Sequence, residues 1–295
     1  TWITERMPYG LIDTHCHLDA DEFAPDRDAV HARAMAAGVS IQVVPAISRA
    51  NFTDVAACCR RFRGCLPAWG MHPMYIHVHQ ERHLEDLRRQ IETWRPVAIG
   101  EIGLDLFAPG LDFATQGHYY VEQLRIAREY DLPVLLHCRR ANDPILKQLR
   151  RFRLKGGIAH AFNGSPQQAE AFIQLGFMLG FGGAFTWSRA TRLRALARDL
   201  PLQAIVLETD SPDIPPEWLR KGRNEPAELA GIAAALAELR GIGVDEVARV
   251  TSANARAVLG LAEAGVDAAA VPSSPTVPPA GTGVVSPLIP GEGPQ

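Results

Sequence analysis

Eight short runs rich in Val, Ile, Leu and Ala punctuate the chain, at residues 10–15, 41–47, 65–72, 97–101, 133–138, 156–162, 177–183 and 204–210. Between them apolar residues recur at helical spacing, most clearly at 114–130, 166–175 and 189–199, each stretch leading into Gly, Asp or Pro before the next run. Alternating strand and helix dictates a parallel sheet, because a parallel neighbour is reached only through a long crossover. Eight such units predict an α/β fold closed into a (β/α)8 TIM barrel. The rival is an open doubly wound sheet, whose first strand should run into a Gly-rich phosphate turn, and GLIDTHCHLDADEF has none. Helices at 225–239 and 244–259 would finish the barrel, giving a domain over 1–262. Residues 263–295 are expected to form a disordered tail, since positions 271–295 carry seven Pro and four Gly with almost no charge and no periodicity.

The polar residues fall on this pattern in a telling way. His15 and His17 end the first run, His72 the third, Glu101 the fourth, His137 the fifth, His160 the sixth and Asp210 the eighth. In a barrel, inward side chains at the carboxyl ends of strands converge on one mouth. Alternation places Asp13, His15 and His17 on one face, with Thr14 and Cys16 on the other. Ionisable groups at six strand ends are costly to bury without a purpose, and imidazole with carboxylate is a donor set for divalent metal ions. Four histidines and two carboxylates suffice for two ions sharing a bridge, an arrangement suited to hydrolysis at phosphorus or at an acyl centre. His31, His77, His79, His83 and His118 fall in helices or loops and read as solvated.

Thirty Lys and Arg against 33 Asp and Glu give a net charge of −3, which argues against nucleic-acid binding by bulk electrostatics. Any phosphate recognition must be local. The clusters RRFR at 60–63 and RRFRLK at 150–155 sit near helix C-termini, where they complement the helix dipole on the face opposite the strand ends. Arg139, Arg140 and Arg223 are better phosphate candidates because they follow the fifth and eighth strands. In NGSP, Ser165 reads as an N-cap with Pro166 at the first helical position, aiming free N–H groups at the mouth. Asn163 of the same segment and His72 complete the expected substrate contacts. Five cysteines without C-x-x-C spacing fit reduced thiols, and there is neither a signal-like apolar segment nor a run of about 18 apolar residues. A cytoplasmic protein with no membrane segment is expected, and no protein partner is evident.

The stretches IDTHCHLD, GMHP, IGEIGLD, LLHCRRA, HAFNGS, ETDSPD and GRNEP, in that order over residues 12–226, resemble the signature blocks of the TatD family of metal-dependent hydrolases and deoxyribonucleases. TSANARAVLG at 251–260 matches that family's last helix. The resemblance implies a TIM barrel, a divalent-metal site and, as in characterised members, Mg2+-dependent DNA cleavage. It implies as ligands His15 and His17 of H-x-H, Glu101 of GEIGLD, His137 of LLHC, His160 of HAFNGS and Asp210 of ETD, the same set that the strand ends suggest. One departure stands out: where the family commonly has H-x-R-D-A, this chain has HCRRA, with Arg140 in place of an acid. Lys147, Lys155 and Lys221 fit no strand end, so a carboxylated-lysine bridge of the kind found in related amidohydrolases is not expected, and Glu101 is the candidate bridge. The expected enzyme is a phosphodiesterase, a DNase acting on DNA ends or single strands with two divalent ions (Mg, Mn or Zn). His15 and His17 would hold one ion with Asp210 nearby, His137 and His160 the other, and Asp210 and Glu101 would carry the catalysis. The alternative is a metal-dependent amidohydrolase or esterase acting on a small substrate.

Overall fold

Every expected run becomes a strand, and each strand pairs in parallel with the next in chain order, from the first to the eighth. The structure, a computed structural model, describes residues 10–262, so the expected tail lies outside the described residues. The strands are β1 (Leu11–Asp13), β2 (Val39–Pro45), β3 (Cys65–Trp69), β4 (Ala98–Asp105), β5 (Val134–Arg139), β6 (Gly157–Ala159), β7 (Phe177–Phe181) and β8 (Ile205–Leu207). The crossovers are α1 (Arg27–Ala36), α2 (Phe52–Arg61), α3 (Arg82–Trp94), α4 (Phe113–Glu129), α5 (Asn142–Phe152), α6 (Pro166–Gln174) and α7 (Thr191–Asp199), followed by α8 (Leu229–Arg240) and α9 (Val244–Leu259). The two basic clusters lie at the C-termini of α2 and α5, as the dipole argument requires.

The barrel is nearly closed. Its seam between β8 and β1 is made by Thr14, whose N–H and Oγ1 both donate to the Leu207 carbonyl at 3.1 and 3.0 Å, instead of by a ladder. Both seam strands are only three residues long, because the chain leaves each of them early to enter a mouth loop.

Apolar burial falls into two layers. A large cluster fills the space between sheet and helices, and a smaller one lines the barrel interior, with Ile12, Val43, Ala68, Ala98, Leu135, Ile158 and Val206 drawn from seven strands. Ala255 and Leu259 of α9 join the inner cluster and plug the amino-terminal end. Asn254 fastens α9 there by donating to the carbonyls of Leu202 and Ile205 at 2.9 and 2.7 Å. With that end sealed by apolar side chains, the carboxyl end is left for chemistry.

Candidate metal centre

The strands stop before most of the ionisable residues. Glu101 and His137 lie within β4 and β5, whereas His15 and His17 follow β1, His72 follows β3, His160 follows β6 and Asp210 follows β8. In β4, Ile99 and Ile102 both join the outer cluster although they are three residues apart, and the β4–β5 register shifts between them. That irregularity turns Glu101 into the barrel. The chain leaves β5, β6 and β8 through residues with left-handed φ: Arg140 at +56°, Ala161 at +43° and Asp210 at +55°. Such backbone is uncommon for side-chain-bearing residues and persists where the surroundings enforce it. For Asp210 the enforcement is visible, since its N–H donates to the His15 carbonyl at 2.8 Å.

Glu101, only 2% exposed, divides its two oxygens between histidines on either side. Oε2 lies 3.1 Å from His15 Nε2 and 3.8 Å from His17 Nε2. Oε1 lies 3.1 Å from His72 Nε2 and 2.9 Å from His137 Nδ1. Asp210 Oδ1 faces the Nε2 atoms of His15, His17 and His160 at 3.7, 3.6 and 3.5 Å. The donor atoms form three overlapping groups, each within 4.8 Å: His15, Glu101 and His160; His15, His17 and Asp210; His72, Glu101 and His137. The rings of His15 and His160 stack with centroids 3.6 Å apart.

Behind this cluster stand two further carboxylates. Asp105 Oδ2 lies 2.9 Å from His137 Nε2, while its Oδ1 accepts the backbone N–H groups of Phe107 and Ala108, both at 2.8 Å. Glu208 Oε1 lies 3.0 Å from His160 Nδ1 and accepts the Ala161 N–H at 2.5 Å. Asp105 thus holds the His137 ring from behind by a hydrogen bond, while Glu208 faces His160 Nδ1 at ion-pair distance. Two glycines make room for the arrangement. A Cβ at Gly180 would lie 2.2 Å from Glu208 Oε2, and one at Gly103, where φ is +148°, would lie 1.9 Å from the His137 carbonyl oxygen. Asp13 serves the seam instead of the cluster: its carboxylate accepts Thr209 N–H and Oγ1 at 2.9 and 2.6 Å, and burial pushes its pKa up to about 8.

Burial lowers the pKa values of His15 and His72, despite the pull of Glu101, and keeps these rings neutral. Burial also opposes charge on His137 and His160, but Asp105 and Glu101 outweigh it on the first, Glu208 and Asp210 on the second, and both pKa values rise. For Glu101 and Asp210 burial favours protonation, yet the surrounding imidazoles, chiefly His72 and His15 for the former and His160 for the latter, hold both carboxyls below their ordinary range. Ionised carboxylates beside neutral imidazoles are what a divalent cation requires. A divalent cation held there would compete with protons for His137 and His160, whose pKa values the carboxylates raise.

All six expected ligands, His15, His17, Glu101, His137, His160 and Asp210, converge on this one mouth. His72, expected against the substrate, sits among them, its Nε2 3.0 Å from His137 Nδ1. His137 and His160, expected on one ion, fall into different groups, His137 beside Asp105 and His160 beside Glu208. Arg139 and Arg140 are exposed, with guanidinium carbons 3.9 and 4.6 Å from the Phe107 ring centroid. Asn163 is exposed and its carbonyl accepts from Asn142 Nδ2 at 3.2 Å. Ser165 does cap α6, its Oγ accepting the Gln168 N–H. Arg223 is no phosphate candidate, because Asp26 takes both its terminal nitrogens at 2.8 Å. His79 is buried, not solvated, with Nε2 2.9 Å from the His72 carbonyl oxygen. Sequence reasoning passes over Asp105 and Glu208. Even spacing is the signal that could have found them: Asp105 is four residues after Glu101, and Glu208 two before Asp210. The donor set, five imidazoles and two ionised carboxylates with carboxylates behind two of the rings, fits divalent cations.

The family model described as "TatD related DNase" matches residues 12–260. The "Uncharacterized metal-dependent hydrolase YjjV" of Escherichia coli K12 is 42% identical over 243 residues, covering 81% of this chain and 93% of its own. The crystal structure of Escherichia coli YjjV superposes with a TM-score of 0.82 at 40% identity, covering 85% of this chain and 98% of that one. The "3'-5' ssDNA/RNA exonuclease TatD" of Cronobacter sakazakii is 35% identical over 255 residues, or 83% of this chain and 96% of its own. Among the described residues no helix is long and apolar enough to cross a membrane.

Proposed function

Because the chain belongs to the TatD family of metal-dependent hydrolases, we propose that it cleaves phosphodiester bonds in DNA, at ends or in single strands. The observation that carries this reading is the division of Glu101, whose two oxygens serve histidines on opposite sides as a bridge between two ions would. His15, His17 and Asp210 would hold one divalent ion (Mg, Mn or Zn), His72 and His137 the other, with Glu101 shared and His160 set between Glu101 and Asp210. When bound, such ions supply Lewis acidity toward water and the phosphoryl oxygens.

The chain's own groups do the rest. Asp210, kept ionised by its imidazole neighbours, orients the attacking water and accepts its proton. Asp105 and Glu208 hold the rings of His137 and His160, so little reorganisation accompanies the reaction. Asn163, exposed just before α6, would contribute its side-chain amide to substrate contact. The DNA assignment draws on the family description and on the Cronobacter relative's name. End-labelled single-stranded DNA, given to protein stripped with chelator and reloaded with Mg2+, Mn2+ or Zn2+, tests it. Cleavage restored by metal is expected. Hydrolysis of carboxylic esters or amides with no phosphodiester cleavage would replace this reading by the small-substrate one.

A further inference from the structure

Along α4 two glutamines lie seven residues apart, close to two turns, so Gln116 and Gln123 share a face of the helix. Gln116 is 1% exposed and Gln123 is fully buried. Apolar side chains alone can seat a helix on a sheet, and a buried carboxamide is costly unless it is paired. Both are paired, and with backbone. Gln123 accepts the Met71 N–H at 2.7 Å and donates to the carbonyls of Met71 and, in its own helix, Tyr119, both at 3.1 Å. Gln116 accepts the Asp105 N–H at 2.7 Å and donates to the Asp105 carbonyl at 3.0 Å. Each carboxamide therefore grips the N–H and the C=O of one residue together, which fixes where that residue stands along its segment and how its peptide planes tilt.

Both gripped residues adjoin the metal centre. Met71 directly precedes His72 and lies two residues past the end of β3, beyond its register with either neighbouring strand. Asp105 ends β4, and its carboxylate lies 2.9 Å from His137 Nε2. A third contact also leads from α4 to His72: the rings of Tyr119 and His79 meet at right angles with centroids 5.2 Å apart, and His79 Nε2 lies 2.9 Å from the His72 carbonyl oxygen. One helix thus addresses His72 and His137, the two imidazoles beside Glu101 Oε1. The residues on the other side of Glu101 are supported differently. The Asp210 N–H donates to the His15 carbonyl and the His17 N–H to the Ser211 carbonyl, both at 2.8 Å. Asn224, fully buried, ties the loop after β8 by donating to the carbonyls of Thr209 and Asp213, both at 2.8 Å. None of these bonds involves α4.

We infer that Gln116 and Gln123 are positioning residues for one half of the centre: Gln123 sets His72, and Gln116, through Asp105, sets His137 against Glu101, while Asn224 and the β1–β8 seam set His15, His17 and Asp210. This rests on the two-ion reading and adds to it that the two ion sites have separate scaffolds. One site can then be loosened while the other keeps its ion.

The test is calorimetric titration of chelator-stripped protein with Mn2+, with free ion counted by electron paramagnetic resonance on the same samples. The wild type should bind two ions. In Gln116→Met and in Gln123→Met, which keep length without the polar groups, one ion should bind about tenfold more weakly, the lower end for a lost outer support, and the other should hold its affinity within about twofold. Asn224→Leu should weaken the complementary ion. His72→Ala identifies the two: in that background Gln123→Met should leave the remaining ion unchanged, whereas Asn224→Leu should weaken it. A role in general stability would instead lower both affinities in every background. Gln123→Glu, whose buried carboxyl stays protonated and can still accept and donate, should show a smaller loss on the same ion, and it carries the test if melting curves show that Gln123→Met does not fold. Equal weakening of both ions by the glutamine variants, weakening of neither, or an effect of Gln123→Met on the ion that survives His72→Ala would overturn the separate scaffolds while leaving the two-ion reading intact. A wild type that binds fewer than two ions would remove that reading and the scaffolds together.

Discussion

The two ends of the barrel are built by the same strands and do opposite work. At the amino-terminal end and middle, Leu135, Ile158 and Val206 point inward and pack on each other and on α9. Two residues further along the same three segments stand His137, His160 and Glu208, on the same face by alternation. Stability and chemistry are thus separated by one inward step, about 7 Å of strand. β4 breaks this rule instructively. From Ala98 to Glu101 the step is three, and the register shift between Ile99 and Ile102 restores the inward direction. The bridge of the cluster therefore depends on a backbone irregularity, whereas its other members follow from a regular pleat or from the loops just past it.

If the two ends are separable in function, substitutions at each should leave the other untouched. Asp210→Asn keeps shape and removes charge, and loss of a general base typically costs roughly 10²–10⁴ in rate. Turnover should fall by that much while the melting temperature holds. At the other end, Leu135→Ala empties a fully buried site and should cost about 2–5 kcal/mol in denaturant titrations, with metal content per folded chain unchanged. Destabilisation by the first, or loss of metal in the second, would break the separation.

The sequence carried the end-to-end contrast better than it carried the contacts across the mouth. Strand runs and helical spacing are local signals, so all eight strands are legible, although the observed ones are mostly shorter because the chain turns toward the mouth before its polar residues are reached. The six expected ligands were legible because strand ends in a barrel must converge. Pairing among them was not: His137 meets His72 and not His160, with Asp105 at the end of β4 and Glu208 just past β8 standing behind the two rings. Arg223 could not be dismissed without its partner Asp26, 197 residues away in sequence. His79 reads as a loop residue, and only the folding of its segment back onto the His72 carbonyl buries it.

The carboxylates behind the rings sharpen the contrast further. Asp105→Asn and Glu208→Gln should each lower metal affinity or turnover by about 10–100-fold, the usual effect of losing such a support. Calorimetric metal titration separates them, since Asp105 supports His137 and Glu208 supports His160. An effect below twofold for both would mean that the rings need no support.

A smaller effect is expected from His79, whose pKa burial lowers from 6.5 to about 4. The unfolded chain then takes a proton that the folded one refuses, so stability is present above 6.5 and is lost as pH falls toward 4. Between about pH 7 and 5.5 the loss is about 1 kcal/mol. His79 Nδ1 is buried without a partner, so no acceptor waits for the added proton. His79→Gln should flatten this part of the stability–pH curve relative to the wild type, and an identical slope would show that the ring is solvated after all.

Metal content and rate measured on the same sample decide most directly whether the cluster works as a two-ion centre. Stripped protein is titrated with Mn2+ or Zn2+ while bound ion, by elemental analysis, and hydrolysis of a phosphodiester are followed together. Without metal no turnover is expected; activity should saturate as bound metal approaches two ions per chain, and the plateau should be lost in Glu101→Gln. Full turnover by protein shown to be metal-free would rule out a metal-dependent centre.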